Sequence, residues 1–446
     1  MPLVAIVGRP NTGKSTLFNR LAGSKKALVD GIPGVTRDLH YARVNFCDRN
    51  FDLVDTGGMA LNVEDELIER VVEAVHFAIE EADCIIFMLD ARSGLTPDDR
   101  DIAELLRKTK KKVFYVANKV ESPKQEQAAM EFYSLGMEEL ELISAREKTG
   151  VWDLFEKVVD ALPEAEEDEK PLDESGVMRT RIAVVGKPNV GKSSLINKLV
   201  GAERLIVSDL PGTTRDAIDI PFEYGGKPYM LIDTAGIRRK ARVKYRLEKF
   251  SVIKALKSLD RCHVALALVD ATEGFDDQTL RVTTYAIERG RAVIWLFNKI
   301  DLIEDITAWR KLVLDRIDFR LRHLNYIPSL EISAKTGKGI GRIFPVVERV
   351  STAHNLRLDT GPLNRLIEAA TTTHTAPIVK NRQLKFYYTV QTSVRPPTFV
   401  IFTNYPDAVH FSYERFLTRT IRESADFTGV PIRLLFKKRT QTSGRD

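Results

Sequence analysis

The sequence predicts an α/β chain: two tandem domains, each a mostly parallel sheet with helices on both faces, followed by a small α+β domain. Three observations lead there. The pattern Gly-x-x-x-x-Gly-Lys-Ser occurs twice, as GRPNTGKS from Gly8 and as GKPNVGKS from Gly186. Later residues recur at nearly constant spacing: Gly8 with Gly186 and Asp55 with Asp233 lie 178 apart, Asn118 with Asn298 180, and Ser144 with Ser333 189. The slow growth of that offset fits loop insertions between matched elements of a repeat. Finally, short continuous apolar runs alternate with longer helical patterns, as expected of parallel strands buried on both faces.

In the first copy LVAIVG is a strand entering the Gly-rich loop and STLFNRLAG the helix leaving it; FDLVD, CIIFMLD and KVFYVANK are later strands. RIAVVG, SSLINKLVG, YMLID, VALALVD and AVIWLFNK take the same places in the second. Between the copies LPEAEEDEKPLDESGVM is acidic and poor in aromatics, either a short linker or an acidic interaction tail. After Ser351 the phosphate-loop pattern stops. GPLNRLIEAATTTH reads as helix, LKFYYTVQTS and PTFVIFTNY as strands, SYERFLTRTIRESADF as helix and PIRLLFKKR as strand, giving a three-stranded sheet with helices on one face. The expected boundaries are 1–163, an acidic linker 164–178, 179–350, and 351–446.

Composition fits an ordinary globular protein: 446 residues, 43% hydrophobic, 29% charged. No apolar run approaches the roughly 18 residues that a bilayer requires, so no integral membrane segment is expected. MPLVAIVG is too short, and too soon interrupted by the Gly-rich loop, for a signal peptide. Cys47, Cys84 and Cys262 lack metal-ligand spacing and are expected to be reduced thiols of a cytoplasmic protein; His263 is expected to be packed rather than a ligand. The net charge of +5 is uneven. From Ala353 onward 14 Lys and Arg stand against 7 Asp and Glu, so the basic excess belongs to the C-terminal segment.

Each Gly-rich loop can close backbone N–H groups on phosphate oxygens while the following helix offers its positive end. The candidate phosphate-binding residues are Gly8, Asn11, Gly13, Lys14, Ser15 and Thr16 in one copy, and Gly186, Asn189, Gly191, Lys192, Ser193 and Ser194 in the other. Lys14 and Lys192 would reach the β- and γ-phosphates, and Ser15 and Ser193 would hold Mg²⁺. Thr36 in PGVTRD and Thr214 in PGTTRD suit the same metal; with the two lysines they are the candidate catalytic residues. Asp55 in DTGG and Asp233 in DTAG can hold Mg²⁺ through water, while Gly58 and Gly236 can offer N–H to the γ-phosphate.

The base is specified by NKVE (Asn118, Lys119, Glu121) and NKID (Asn298, Lys299, Asp301). Asn can meet the O6/N7 edge of guanine, and a carboxylate can accept its N1–H and N2–H₂, donors that adenine lacks as a pair. ISAR, with Ser144 and Ala145, and ISAK, with Ser333 and Ala334, fit a further loop at the base. GTP and GDP are therefore the expected ligands. Glu121 is one methylene longer than Asp301, so looser guanine binding in the first copy is expected.

Each half resembles a translation-factor-type GTPase domain, and two in tandem before a small basic domain resemble the bacterial tandem-domain GTPases. That resemblance covers essentially the whole chain. It implies two P-loop GTPase domains with a KH-like C-terminal domain, and a switch acting in assembly of the large ribosomal subunit, bound to ribosomal RNA rather than DNA, as a monomer. Met59 and Ile237 stand after the DxxG motifs, where a water-positioning glutamine is found in Ras-type enzymes. By resemblance to potassium-activated GTPases, Asn11 and Asn189 would help coordinate K⁺; bracing the loop is the alternative. KH domains clamp RNA with a Gly-x-x-Gly loop, yet Gly361, Gly429 and Gly444 are the only glycines after Ser351, so charge and shape are expected to serve instead. GIRRKARVKYRLEKF after the second DxxG is basic, where the first copy is acidic. It reads as a charged loop or a nucleotide-gated RNA contact. A P-loop kinase is disfavoured by the paired guanine motifs, and a GTP-gated binding module with incidental hydrolysis remains open.

Overall fold

The computed structural model describes residues 2–22, 28–30, 41–56, 67–163, 179–201, 206–207, 219–232, 248–374, 378–379 and 382–438. They form two compact units, divided between Lys170 and Pro171 inside the acidic segment.

In the first unit β1 (Leu3–Val7) lies at the middle of a seven-stranded sheet. β2 (Leu28–Asp30), β3 (Tyr41–Phe46) and β4 (Arg49–Asp55) lie to one side, and β5 (Cys84–Asp90), β6 (Lys112–Asn118) and β7 (Leu140–Leu142) to the other. The strands from β4 to β7 are parallel to β1. Alternate residues of β1 serve opposite cores: Val4 and Ile6 join Leu17, Phe18 and Phe155 on one face, Ala5 and Val7 join Val75, Ile102 and Phe132 on the other. This two-sided burial is why the strands read as unbroken apolar runs.

Sequence reading did not anticipate the antiparallel edge made by β2 and β3. β3 returns to β4 through Cys47 and Asp48, both at positive φ (50° and 58°), as a two-residue hairpin turn demands.

The second unit repeats the sheet with β8 (Thr180–Val185) at its middle. β9 (Ile206–Val207), β10 (Ile220–Tyr224) and β11 (Lys227–Ile232) lie on one side, β12 (Val264–Asp270), β13 (Ala292–Asn298) and β14 (Ser329–Glu331) on the other. Here the hairpin turn is Gly225–Gly226, both at positive φ.

Cys84 opens β5 and Cys262 lies two residues before β12; burial pushes both thiols up to about 12, as inert core residues. His263, beside Cys262, is packed as expected: its Nδ1 accepts from Arg181 N (3.2 Å). In the first copy the same task falls to Asp83, whose Oδ2 accepts from Leu3 N (2.7 Å).

The C-terminal segment has the expected layers. β17 (Phe386–Ser393) pairs antiparallel with β18 (Thr398–Thr403), which pairs parallel with β19 (Arg433–Lys438). Helices Thr360–Thr373 and Phe411–Ser424 cover one face through Leu363, Ile367, Leu417 and Ile421. A short ribbon, β15 (Ile378–Val379) with β16 (Arg382–Gln383), was not foreseen.

This segment is fastened to the second GTPase copy by backbone as well as side chains. Val293 N donates to Gly429 O and Gly429 N to Tyr326 O, both at 2.8 Å. Val430 is a member of the second copy's own core cluster. Buried His354 meets Gly290 O through Nε2 at 2.9 Å.

Candidate nucleotide site

In both units the loop that follows the middle strand leaves the carboxyl edge of the sheet, where open α/β sheets bind ligands. The loop is tight because its glycines have no alternative. Gly8 (φ +145°) would place a Cβ 2.5 Å from Met88 O, and Gly186 (φ +149°) one 2.8 Å from Leu268 O. At Gly13 (φ +96°) and Gly191 (φ +103°) a Cβ would land on Asn118 Nδ2 and Asn298 Nδ2, far inside contact distance. The helices begin immediately after, at Lys14 and Lys192, so their N-termini face the loop. Thr16 and Ser194 stand exposed in the first turn.

The two asparagines explain that crowding. Asn118, 2% exposed at the end of β6, donates from Nδ2 to Thr12 O (2.7 Å) and accepts at Oδ1 from Ala145 N (2.9 Å). Asn298 repeats both bonds, to Val190 O (2.7 Å) and from Ala334 N (2.8 Å). Each ties the phosphate loop to the loop carrying Ser144 or Ser333. Among the described residues each Nδ2 makes one hydrogen bond, to the phosphate loop.

Lys119 and Lys299 follow at positive φ (68° and 66°). Lys119 Nζ donates to Asn11 O (2.7 Å) and Asp90 Oδ2 (2.6 Å), and Lys299 Nζ to Asp270 Oδ2 (2.6 Å). Burial alone would raise the two carboxyls, yet the lysine bonds and neighbouring donors hold both below the usual carboxylate range. Asp90 and Asp270 were missed in the sequence, although they too recur 180 residues apart, directly opposite Asn118 and Asn298 in the sheet.

Lys14 is 5% exposed and donates from Nζ to Arg9 O (2.6 Å). Burial lowers its pKa to about 8, opposed by Asp55 and helped by Arg9. Lys192 Nζ donates to Gly186 O (2.8 Å) and Lys187 O (2.7 Å). Both ammonium groups thus lie folded across their loops on carbonyl oxygens. Ser15 Oγ donates to Asp55 Oδ2 at 2.5 Å, so two hard oxygens already meet beside the loop. That donor set suits Mg²⁺, which takes few protein ligands and completes its shell with water and phosphate. Asn11 and Asn189 hold left-handed backbone (φ 65° and 60°) with exposed side chains.

The base pockets differ. Glu121 Oε2 receives Arg92 Nη2 at 2.5 Å and Oε1 receives Ser144 Oγ at 3.3 Å. In the second copy Thr272 occupies the place of Arg92 and bonds instead to Asp270 (2.7 Å). Ser333 Oγ accepts from Thr336 N (3.0 Å), a bond that Ser144 Oγ matches in accepting from Glu147 N (3.1 Å). Thr36, Gly58, Met59, Thr214, Asp233, Gly236, Ile237 and the rest of the basic stretch as far as Leu247 lie outside the described residues.

Comparison with known proteins agrees with this constellation. A family model described as 50S ribosome-binding GTPase matches residues 3–119 and 181–299, and one described as the C-terminal KH-domain-like part of EngA bacterial GTPases matches 357–437. The chain is 49% identical over 440 residues to GTPase Der of Geobacter metallireducens, covering 98% of this chain and 99% of that one. It is 48% identical over 439 residues to GTPase Der of Syntrophotalea carbinolica, with the same coverage. The chain belongs to the GTPase Der family. It binds guanine nucleotides and hydrolyses GTP. Among the described residues no helix is long and apolar enough to cross a membrane.

Proposed function

We propose that this chain is a GTP-driven switch in assembly of the large ribosomal subunit, contacting its RNA and rearranging its domains with the nucleotide state. The observation that carries the reading is the asparagine strut built twice, because it joins what holds phosphate to what holds the base in both copies. On nucleotide binding, Lys14 and Lys192 exchange backbone carbonyls for β- and γ-phosphate oxygens and neutralise the charge that grows there. Ser15, Thr36 and Asp55, and Ser193, Thr214 and Asp233, hold Mg²⁺, which supplies further charge neutralisation. Gly58 and Gly236 report the γ-phosphate through their N–H groups. Asn118, Lys119, Glu121, Ser144 and Ala145 select guanine, as do Asn298, Lys299, Asp301, Ser333 and Ala334. Asn11 and Asn189 hold K⁺ beside the phosphates, offsetting the missing water-positioning side chain at Met59 and Ile237. The working units are 1–163, 179–350 and 351–446, in a cytoplasmic monomer.

The test is co-sedimentation with large ribosomal subunits in GTP analogue, GDP and no nucleotide. Binding that depends on the γ-phosphate is expected; binding indifferent to nucleotide would refute the switch. Turnover with and without subunits separates this reading from a binding module with incidental hydrolysis. Lys14→Ala and Lys192→Ala should each remove one of two separable activities, and Na⁺ in place of K⁺ should slow turnover.

A further inference from the structure

The helix after β5 and its counterpart after β12 start with the same pair of residues in opposite order. Thr96 caps helix Pro97–Arg107 and Asp99 stands three residues on; Asp276 caps helix Asp277–Glu288 and Thr279 stands three on. The positions correspond, lying 180 apart like Asn118 and Asn298. Both orders satisfy the helix start. Thr96 Oγ1 donates to Asp99 Oδ2 (2.7 Å), and Thr279 Oγ1 to Asp276 Oδ2 (2.8 Å), while Thr279 N donates to Asp276 Oδ1 (2.8 Å). Asp99 and Thr279 are equally buried, 0% and 1% exposed. A threonine thus serves the cap from that position, and capping does not explain a carboxylate buried there, which is costly unless a cation meets it. The cation comes from the phosphate loop. Arg9 Nε donates to Asp99 Oδ2 (3.2 Å), and Arg9 Nη2 to Ser93 Oγ (2.5 Å). In the second copy Lys187 replaces Arg9 and pairs with Glu273, which stands at the place of Ser93 and whose side chain is 60% exposed.

We propose that Asp99 is a positioning residue: through Arg9 it holds the first copy's phosphate loop in shape by a buried tether, which the second copy replaces with an exposed one. Arg9 O accepts from Lys14 Nζ (2.6 Å) and Thr12 Oγ1 (3.1 Å), and Lys187 O accepts from Lys192 Nζ (2.7 Å). Fixing the side chain of Arg9 or Lys187 therefore fixes the carbonyl on which the phosphate-binding lysine rests. A loop ordered beforehand binds its ligand without the ordering cost. The tether touches neither the base nor the reacting atoms, so it acts on nucleotide affinity and not on the step from bound GTP to the transition state. Salt should distinguish the copies, because a buried pair is little screened and an exposed pair largely so.

The experiment uses the full chain, with Lys192→Ala to read the first copy and Lys14→Ala to read the second. Thr96→Asp combined with Asp99→Thr gives the first copy the second's capping order, keeping the helix start while taking the carboxylate from Arg9. In that variant KM for GTP and Kd for GDP should each rise about three- to tenfold, the scale of ordering one long side chain, with kcat and Tm unchanged. Adding Arg9→Lys and Ser93→Glu rebuilds the exposed pair and should restore affinity at low salt only. Glu273→Gln, on the surface and safe for folding, should weaken GDP binding to the second copy by up to about fivefold at low salt and not at high salt. Unchanged KM and GDP affinity in the transposed variant overturn the proposal. So does a loss of kcat at unchanged KM, which would put Asp99 in the chemistry. A transposed variant that unfolds returns the carboxylate to the helix cap and equally overturns it, as does a Glu273→Gln effect that is absent or indifferent to salt.

Discussion

Arg92 gives the first base pocket a chemistry that the second lacks. In the proposed site guanine needs both oxygens of Glu121, of which one already receives Arg92 and the other Ser144. Asp at this position would withdraw by a methylene from Arg92. Glu121→Asp should therefore tighten guanine nucleotide binding in the first copy by up to about 1–2 kcal/mol. Arg92→Thr should tighten it by less than about 1 kcal/mol, as expected for a half-exposed ion pair. The double variant should gain no more than Glu121→Asp alone, since both remove the same competition. Titrating a fluorescent GDP analogue into each variant, with Lys192→Ala to silence the second copy, checks this. Lys14 makes a second prediction. Its lowered pKa means the nucleotide-free lysine deprotonates as pH rises through about 8, and phosphate draws the proton back. Nucleotide binding above pH 8 should take up a proton, read by calorimetry as a binding heat that depends on the buffer's ionisation enthalpy; at pH 6.5 that dependence should vanish.

The elements that hold the site were legible because they repeat; the edges were not. Unbroken apolar runs announced the parallel strands, and Gly-Lys-Ser announced the helix starts. β3 and β10 were missed although the second copy carries a plain Gly-Gly hairpin signal. In the first copy Cys47 and Asp48 adopt the same left-handed turn without glycine, and a search by matched motif passes over both. Asp90 and Asp270 were missed for a related reason: each ends an apolar strand and reads as a boundary, when its work is to hold Lys119 or Lys299. The glycines were read as room for phosphate, and the structure adds a second reason at Gly13. Gly13→Ala would push Asn118 off Thr12 and the Ala145 loop at once. It should cost about 1–3 kcal/mol of stability and weaken guanine binding as well as phosphate binding, which the affinities of GDP and of free guanosine would separate. Loss confined to phosphate binding would deny the strut.

At the scale of the molecule, the sequence counts three folded domains and the described residues make two units, because no motif reports a backbone bond between Val293 and Gly429. The junction carries its own titration. Burial and Arg395, Arg181 and Arg291 push His263 down to about 3. Burial and Arg395 and Arg291 push His354 to about 4 against the pull of its Gly290 bond. Both are neutral when folded and would titrate near 6.5 when unfolded, so the folded state binds fewer protons between those values. Their contribution is complete above pH 6.5 and is lost as pH falls toward 4, by up to about 1.4 kcal/mol per histidine per pH unit. Scanning calorimetry at pH 7 and pH 5 should show the second unit's transition falling further than the first's; equal shifts would contradict the assignment.

The Gly429–Val430 turn also sets an order of events during synthesis. The first GTPase copy contains every residue of its own core and can fold as soon as it leaves the translating ribosome. The second cannot close: Val430, which fills its core, emerges only after the whole helix–strand–strand–helix segment has been made. A nascent chain stalled at residue 350 would carry one finished GTPase and one with an open seam, the state in which chaperones would be needed most.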